Sequence, residues 1–147
     1  MSRDHGNAVI EFIFVALLIL VPMVYFVTAV ASVQRSNLGV SQAAREAGRA
    51  FATGSSTSDG LARAQEAVRL ALADEGLPDD AFVRYVAVGS GCRSGQIAPA
   101  LAPGAEFAVC VVRYTLLPGV PTLLAGHGIT TIGRFVVHVD DYRAGGT

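Results

Sequence analysis

The sequence has only two cysteines, and their pairing is the first chemistry that it suggests. Seventeen residues lie between Cys92 and Cys110. In an oxidising compartment such a pair forms a disulfide, whereas in a reducing compartment both remain free thiols. A zinc site needs clustered ligands, and the sequence has no C-x-x-C pair and no cluster of histidines. We predict a disulfide for an exported domain, keep free thiols as the alternative, and predict no metal site.

Residues that could catalyse a reaction are sparse. The histidines are His5, His127 and His138. A Ser-His-Asp triad assembles in space and has no fixed spacing, but the sequence lacks the G-x-S-x-G elbow that marks many nucleophiles. The glycines at Gly89 and Gly91 lack the rest of a dinucleotide fingerprint. We predict no catalytic residue and no cofactor, and an anchored enzyme is the least favoured class.

The charges are balanced. There are 11 arginines and no lysines against 12 acids, which gives a net charge of −1. This balance argues against a protein that binds nucleic acid through its phosphates. Arg84, Arg113 and Arg134 alternate with apolar residues, so we expect them on one face of a sheet. We predict that this face is a solvated surface, and the alternative is a strip that binds anions.

One acid lies at the edge of the most apolar stretch of the chain. Residues 12–33, which follow Glu11, contain no charge, and as a helix they would be about 33 Å long, which matches a bilayer core. A carboxylate at such an edge usually has a function, although it also favours the start of a helix. Two alternatives stay open: a helix buried in a core, and a signal peptide cleaved after Ala29-Val30-Ala31. We predict a membrane span over about residues 12–33.

The residues ahead of this span resemble the processing site of type IV prepilins. Gly6 ends a short leader, residues 1–6, and is followed by four residues and then by Glu11 and Phe12. The resemblance implies that a prepilin peptidase cleaves between Gly6 and Asn7, so that Glu11 becomes the fifth residue of the mature chain. In that class the glutamate pairs with the freed N-terminal amine of a neighbouring subunit. Two charges desolvated in an apolar bundle need each other.

Two further segments narrow the resemblance to one family. The chain reads AAREAGRA over residues 43–50 and VDDYR over residues 139–143, and both segments are similar to the TadE-like pilus assembly proteins of tight-adherence (Tad or Flp) systems. The resemblance implies a non-enzymatic minor pilin or pseudopilin with one membrane pass, a cytoplasmic N-terminus and an extracytoplasmic C-terminal domain, which could end in an extracellular pilus. The implied partners are a prepilin peptidase, other pilin subunits, the membrane platform of the assembly machine and the lipid bilayer. The alternative is a membrane-anchored or secreted ligand-binding domain unrelated to pili.

Two helices are predicted to position these residues. The span should continue as a stalk helix over residues 7–52, kinked at Pro22. Beyond the membrane, apolar and charged residues lie on opposite faces at helical spacing. These faces are Val40, Ala44, Ala47 and Phe51 against Arg45, Glu46 and Arg49. A second helix is predicted from about Asp59 to Glu75, ended by Gly76. Its apolar stripe is Leu61, Ala64, Val68 and Leu72.

Three strands are predicted after the helices, over residues 82–88, 107–117 and 131–141. Their alternation predicts an antiparallel sheet with one face under the helices and one face in water. The residues expected under the helices are Val83, Tyr85 and Ala87, then Ala108, Cys110, Val112, Tyr114 and Leu116, then Phe135, Val137 and Val139. The three arginines and His138 are expected in water. The predicted fold is therefore α+β and pilin-like, with a leader (1–6), a transmembrane and stalk helix (7–52) and an extracytoplasmic domain (53–147).

Overall fold

Two helices precede a three-stranded sheet. The computed structural model describes residues 5–117 and 128–143, so that most of the predicted leader, and His127, lie outside the described residues. The elements are α1 (His5–Ala52), α2 (Thr57–Asp74), β1 (Phe82–Val86), β2 (Glu106–Thr115) and β3 (Ile129–His138). The sheet is antiparallel in the order β1-β2-β3. The predicted α+β fold is confirmed, and each strand ends two or three residues before its predicted end.

The first part of α1 is exposed throughout. Every large apolar side chain between Val9 and Val30 is accessible, from 40% at Val30 to 74% at Phe12. The helix is long and apolar enough to cross a membrane, and none of its most apolar window is buried inside the protein. It is therefore not a core helix of this fold. The backbone stays helical through Pro22, and a kink there stays a prediction.

The second part of α1 packs on the rest of the chain. Its buried residues recur at intervals of three or four and so form one face. They are Ser36, Gly39, Val40, Ala43, Ala44, Ala47, Gly48 and Phe51. This confirms the predicted face, and the charged residues lie exposed on the other side. We call residues 36–52 of α1, α2 and the three strands together the head.

α2 is fixed at both ends by short-range hydrogen bonds. The Ser56 side chain accepts from the backbone N–H of Asp59 at 3.2 Å, which satisfies one of the free donors of the first turn. Asp59 also accepts from Arg63 at 2.9 Å. At the other end Gly76 has a φ of +65°, a conformation that favours glycine and ends the helix.

The buried stripe of α2 is the predicted one with a single correction. Ala64, Val68 and Leu72 are buried, but Leu61 is 37% exposed and the neighbouring Gly60 is buried instead. A Cβ at Gly60 would lie 2.9 Å from the carbonyl oxygen of Phe51. The helices thus cross so closely at this point that glycine takes the place expected for leucine.

The central strand faces the other way from the prediction. In the register, Val109 is opposite both Tyr85 and Phe135, so these residues share the face that packs on the helices. The prediction gave that face to the alternate residues from Ala108 to Leu116, and it was wrong by one residue. Most of β2 is buried on both faces, so its apolar run has no alternation from which the phase could be read. Ala87, also expected under the helices, lies beyond the end of β1 and is exposed.

The predicted arginine strip is not formed. Arg84 and Arg134 both lie opposite Cys110 on the outer face of the sheet. Arg113 lies opposite Thr131 on the helix face and is only 7% exposed. The error has the same cause as the misplaced phase of β2, because Arg113 belongs to that strand.

The strands run along α1, and their ends can therefore be placed on it. The hydroxyl oxygens of Ser36 and Thr131 are 2.8 Å apart, and further along Gly48 lies against Val137. β3 and α1 thus run in the same direction. β2 runs the opposite way and brings the Thr115 hydroxyl to 2.6 Å from that of Ser36. The sheet end that joins β2 to β3 is therefore the end nearest the exposed part of α1.

Candidate functional site

The exposed part of α1 is the first candidate site. Glu11 is the only charged residue between Ala8 and Gln34 and lies exposed on this surface beside Phe12. Gly6 and Asn7, the predicted cleavage positions, fall in the first turn of a helix that begins at His5. Soluble monomers rarely expose contiguous apolar patches larger than a few hundred Å². This surface therefore needs lipid or other apolar helices to cover it.

No cation follows Glu11 on α1 until the far end of the apolar run. The next charged residue along α1 is Arg35, 24 residues further on, which is about 36 Å along a helix. A carboxylate carried into an apolar layer is costly unless an opposite charge or a hydrogen-bond donor accompanies it. An ion pair of Glu11 within the apolar layer therefore needs a partner other than Arg35.

A buried polar cluster, the second candidate site, joins α1 to the sheet. Ser36 is fully buried, and its hydroxyl accepts from the hydroxyl of Thr115 at 2.6 Å and from Nη1 of Arg113 at 3.1 Å. It lies 2.8 Å from the hydroxyl of Thr131, which itself donates to the Arg113 carbonyl oxygen at 3.2 Å. The donors and acceptors form one consistent chain, so the group is satisfied although buried. We call these four residues, with Asp80, the junction cluster.

Asp80 neutralises the arginine of the junction cluster. Arg113 Nη2 donates to Asp80 Oδ2 at 3.2 Å, and Nε donates to Oδ1. The Asp80 side chain is 45% exposed whereas that of Arg113 is 8% exposed, so the ion pair reaches from solvent to the buried end of the helix. This two-point contact fixes the guanidinium in orientation as well as in charge. The cluster is suited to hold α1 and the sheet in one register.

Sequence reasoning missed the junction cluster, although one signal for it was present. Ser36 falls one helical turn before Val40, on the apolar face already recognised in α1. A serine at a core position needs a hydrogen-bond partner, so this spacing indicated a buried polar contact. The partner could not be found from the sequence, because Asp80 and Arg113 are separated from Ser36 by 44 and 77 residues.

The two cysteines form the predicted disulfide. It ties the segment after β1 to Cys110 in the middle of the sheet. Cys92, Cys110, Val86 and Ala108 form a small second apolar cluster on the outer face. The same segment is held at the sheet edge, where Ile97 donates its N–H to the carbonyl oxygen of Tyr85 at 2.9 Å. The outer face was predicted to lie in water, but this segment covers part of it.

His138 lies between two carboxylates on the surface of the head. Its Nδ1 is 3.0 Å from Glu106 and its Nε2 is 3.6 Å from Asp141. The hydrogen bond with Glu106 raises the pKa of His138, and the charge of Asp141 adds to this effect. Both ring nitrogens face acids, and this arrangement favours the protonated form of the imidazole.

Within residues 5–117 and 128–143 no group of three or more histidine, cysteine, aspartate or glutamate side chains could hold a metal ion. The sites that the structure does provide are an apolar helix with one acid near its start and a head locked to that helix. Neither a family model, nor a curated protein, nor a solved structure matches the chain.

Proposed function

We propose that this chain is a non-enzymatic minor pilin or pseudopilin of the TadE-like class, which takes part in assembling a Tad-type (Flp) pilus or a related secretion filament. In this proposal it begins as a single-pass protein of the cytoplasmic membrane. A prepilin peptidase cleaves it after Gly6, and its helix then packs among the helices of other subunits on the membrane platform of the assembly machine.

One observation carries the proposal: every large apolar side chain of α1 from Val9 to Val30 is exposed, and Glu11 is the only charge among them. A simple anchor needs an apolar helix, and an acid within it is costly in lipid. Glu11 is the seventh residue of α1 and lies beyond the first turn, where an acid would favour the start of the helix. Cleavage after Gly6 would free an amine at Asn7, four residues and about 6 Å along the helix from Glu11. The amine of one subunit could then pair with Glu11 of the next and set their stagger.

The start of the mature protein tests the processing step. N-terminal sequencing of the protein from its native membrane is expected to begin at Asn7. A chain beginning at Ser32 would instead support a cleaved signal peptide and the alternative of a secreted ligand-binding domain. An intact Met1 would indicate an ordinary membrane anchor without filament assembly.

The variant Glu11→Ala tests the assembly step. We expect it to be made and inserted into the membrane as usual but to abolish filament formation, since the amine loses its partner. Glu46→Ala is the matched control, because Glu46 is an exposed acid of the same helix and pairs only with the surface residue Arg49 at 3.7 Å. Normal filaments with Glu11→Ala, or equal defects in both variants, would contradict the proposed role.

A further inference from the structure

The end of the head nearest the exposed part of α1 has an apolar surface. Leu116 follows directly after Thr115 at the end of β2, and Ile129 opens β3. These side chains are 60% and 42% exposed, although Thr115 beside them is buried against Ser36. Ile129 pairs with Thr115 and shares its face of the sheet, whereas Leu116 lines a cleft with Tyr114. What the two exposed side chains share is therefore their level along α1 and not one continuous patch.

The level of this surface on α1 follows from the rise per residue. A strand advances about 3.3 Å per residue and a helix about 1.5 Å. Leu116 therefore lies about two helical residues before Ser36, and Ile129, two residues before Thr131, lies about four before it. Both positions correspond to residues 32–34 of α1, where the charge-free run ends.

An aromatic residue and a cation complete the surface. Tyr114 is half-exposed on the outer face, and with Leu116 it lines a cleft that also includes Ser32 and Arg35 of α1. Tyrosine is enriched where a bilayer meets water, because its ring is apolar and its hydroxyl is polar. Arginine extends its apolar stem along such a surface and places its charge among phosphates.

We propose that Tyr114, Leu116, Ile129 and Arg35, which we call the lower rim, insert into the interfacial layer of the bilayer that α1 spans. The occupant is lipid and not a second copy of the chain, because a bilayer that covers α1 to residue 33 lies at the level of the lower rim in every molecule. This inference rests on the membrane span of the proposed function. The lower rim adds a second contact between the protein and the membrane, and this contact fixes the tilt of the head. Extraction of the protein into a filament would have to break this contact.

Tryptophan fluorescence tests the contact, because the sequence contains no tryptophan. Single tryptophans are introduced into the full chain as Leu116→Trp and Tyr114→Trp in the lower rim. Phe26→Trp reports on the span, where Phe26 is 70% exposed. Tyr142→Trp is the control, since Tyr142 is 96% exposed and its neighbour Arg143 binds the carbonyl oxygen of Ala52 at the opposite end of the head. A cooperative thermal unfolding transition like that of the unchanged chain shows that each variant has folded.

Each protein is placed in vesicles of phosphatidylcholine and phosphatidylglycerol, with and without bromine near the headgroup end of the acyl chains. We expect the brominated lipid to reduce the fluorescence of Leu116→Trp and Tyr114→Trp and to leave that of Tyr142→Trp unchanged. Quenching of Phe26→Trp by lipid brominated deeper in the chains confirms the span independently.

If Phe26→Trp is quenched but both lower-rim variants behave as Tyr142→Trp does, the lower-rim contact is wrong while the span stands. A blue-shifted but unquenched Leu116→Trp signal would mean that protein covers the lower rim, which also overturns the proposal. If Phe26→Trp is not quenched at all, the span is wrong and the lower-rim contact falls with it.

Discussion

Ser36 holds the head to α1 through a hydroxyl group where the rest of the helix face uses small apolar side chains. Its oxygen is the meeting point of two strands, since Thr115 and Thr131 both contact it. Buried polar groups of this kind contribute little net energy when satisfied but are costly when one partner is removed. The junction cluster therefore specifies a register more than it adds stability.

Removing the Ser36 hydroxyl should be costly for this reason. In Ser36→Ala the Thr115 hydroxyl and one hydrogen of Arg113 lose their acceptor in a buried place. We expect the free energy of unfolding of the head to fall by about 1–3 kcal/mol, measured by thermal unfolding of the full chain in detergent. Ser32→Ala is the control, because that hydroxyl donates only to the Ala29 carbonyl of its own helix. Equal effects in the two variants would show that the junction cluster is not specific.

His138 makes the stability of the head depend on pH. The folded state binds the imidazole proton more tightly than the unfolded chain does, since Glu106 and Asp141 raise its pKa above 6.5. The stabilisation is therefore complete below pH 6.5 and is lost as the pH rises through the raised pKa of the folded state. We expect the melting temperature to fall as the pH rises above about 6.5 and to fall less in His138→Gln. An unchanged slope in that variant would assign the pH dependence to other groups.

At the scale of elements, the helices could be predicted from the sequence and the facing of the central strand could not. The period of 3.6 residues repeats over four turns of α1, so its buried face is over-determined. The sequence of a strand reveals which residues face the core only if the other face lies in water and carries polar residues. In β2 the helices cover one face and the segment around Cys92 covers the other. Because the residues of β2 were assigned to the wrong faces, Arg113 was expected in water and its place in the junction cluster was not predicted.

The backbone of β3 approaches that of α1 closely at Gly133. At Gly133 an added Cβ would overlap with the carbonyl oxygen of Val40. A backbone atom in the middle of a helix cannot turn aside as a side chain can, so the whole helix would have to move from the sheet. Glycine at this position is thus needed for space and not for a special backbone angle.

We expect the variant Gly133→Ala to lower the free energy of unfolding of the head by at least about 1–3 kcal/mol, which is typical of overpacking. If α1 separates from the sheet, the loss should be larger. The measurement is the melting temperature together with the rate of proteolysis after Arg45 and Arg49. Gly95→Ala is the matched control, since nothing lies within 4 Å of the added carbon there. A melting temperature equal to that of the control would contradict the observed approach of α1 to β3.

At the scale of the whole molecule, the chain consists of two parts whose apolar residues need different environments. The core of the head is built only from residues at or beyond position 36. The exposed part of α1 contributes no residue to that core and presents its entire apolar surface outward. The head should therefore fold without the first part of α1, and that part should be free to pack with lipid or with other helices.

A chain that begins at Gln34 tests this division. We expect it to be monomeric in size-exclusion chromatography without detergent, to form the Cys92–Cys110 disulfide, and to melt at the same temperature as the head of the full chain. The junction cluster remains intact in it, because Ser36 and its partners are all retained, and the exposed apolar residues that remain are mostly scattered. Full-length protein without detergent should aggregate, since the apolar side chains from Val9 to Val30 are then exposed to water. If the shortened chain aggregated or failed to form its disulfide, the first part of α1 would be part of the folding unit, and a helix already required by its own head would be a poor candidate for packing among other subunits.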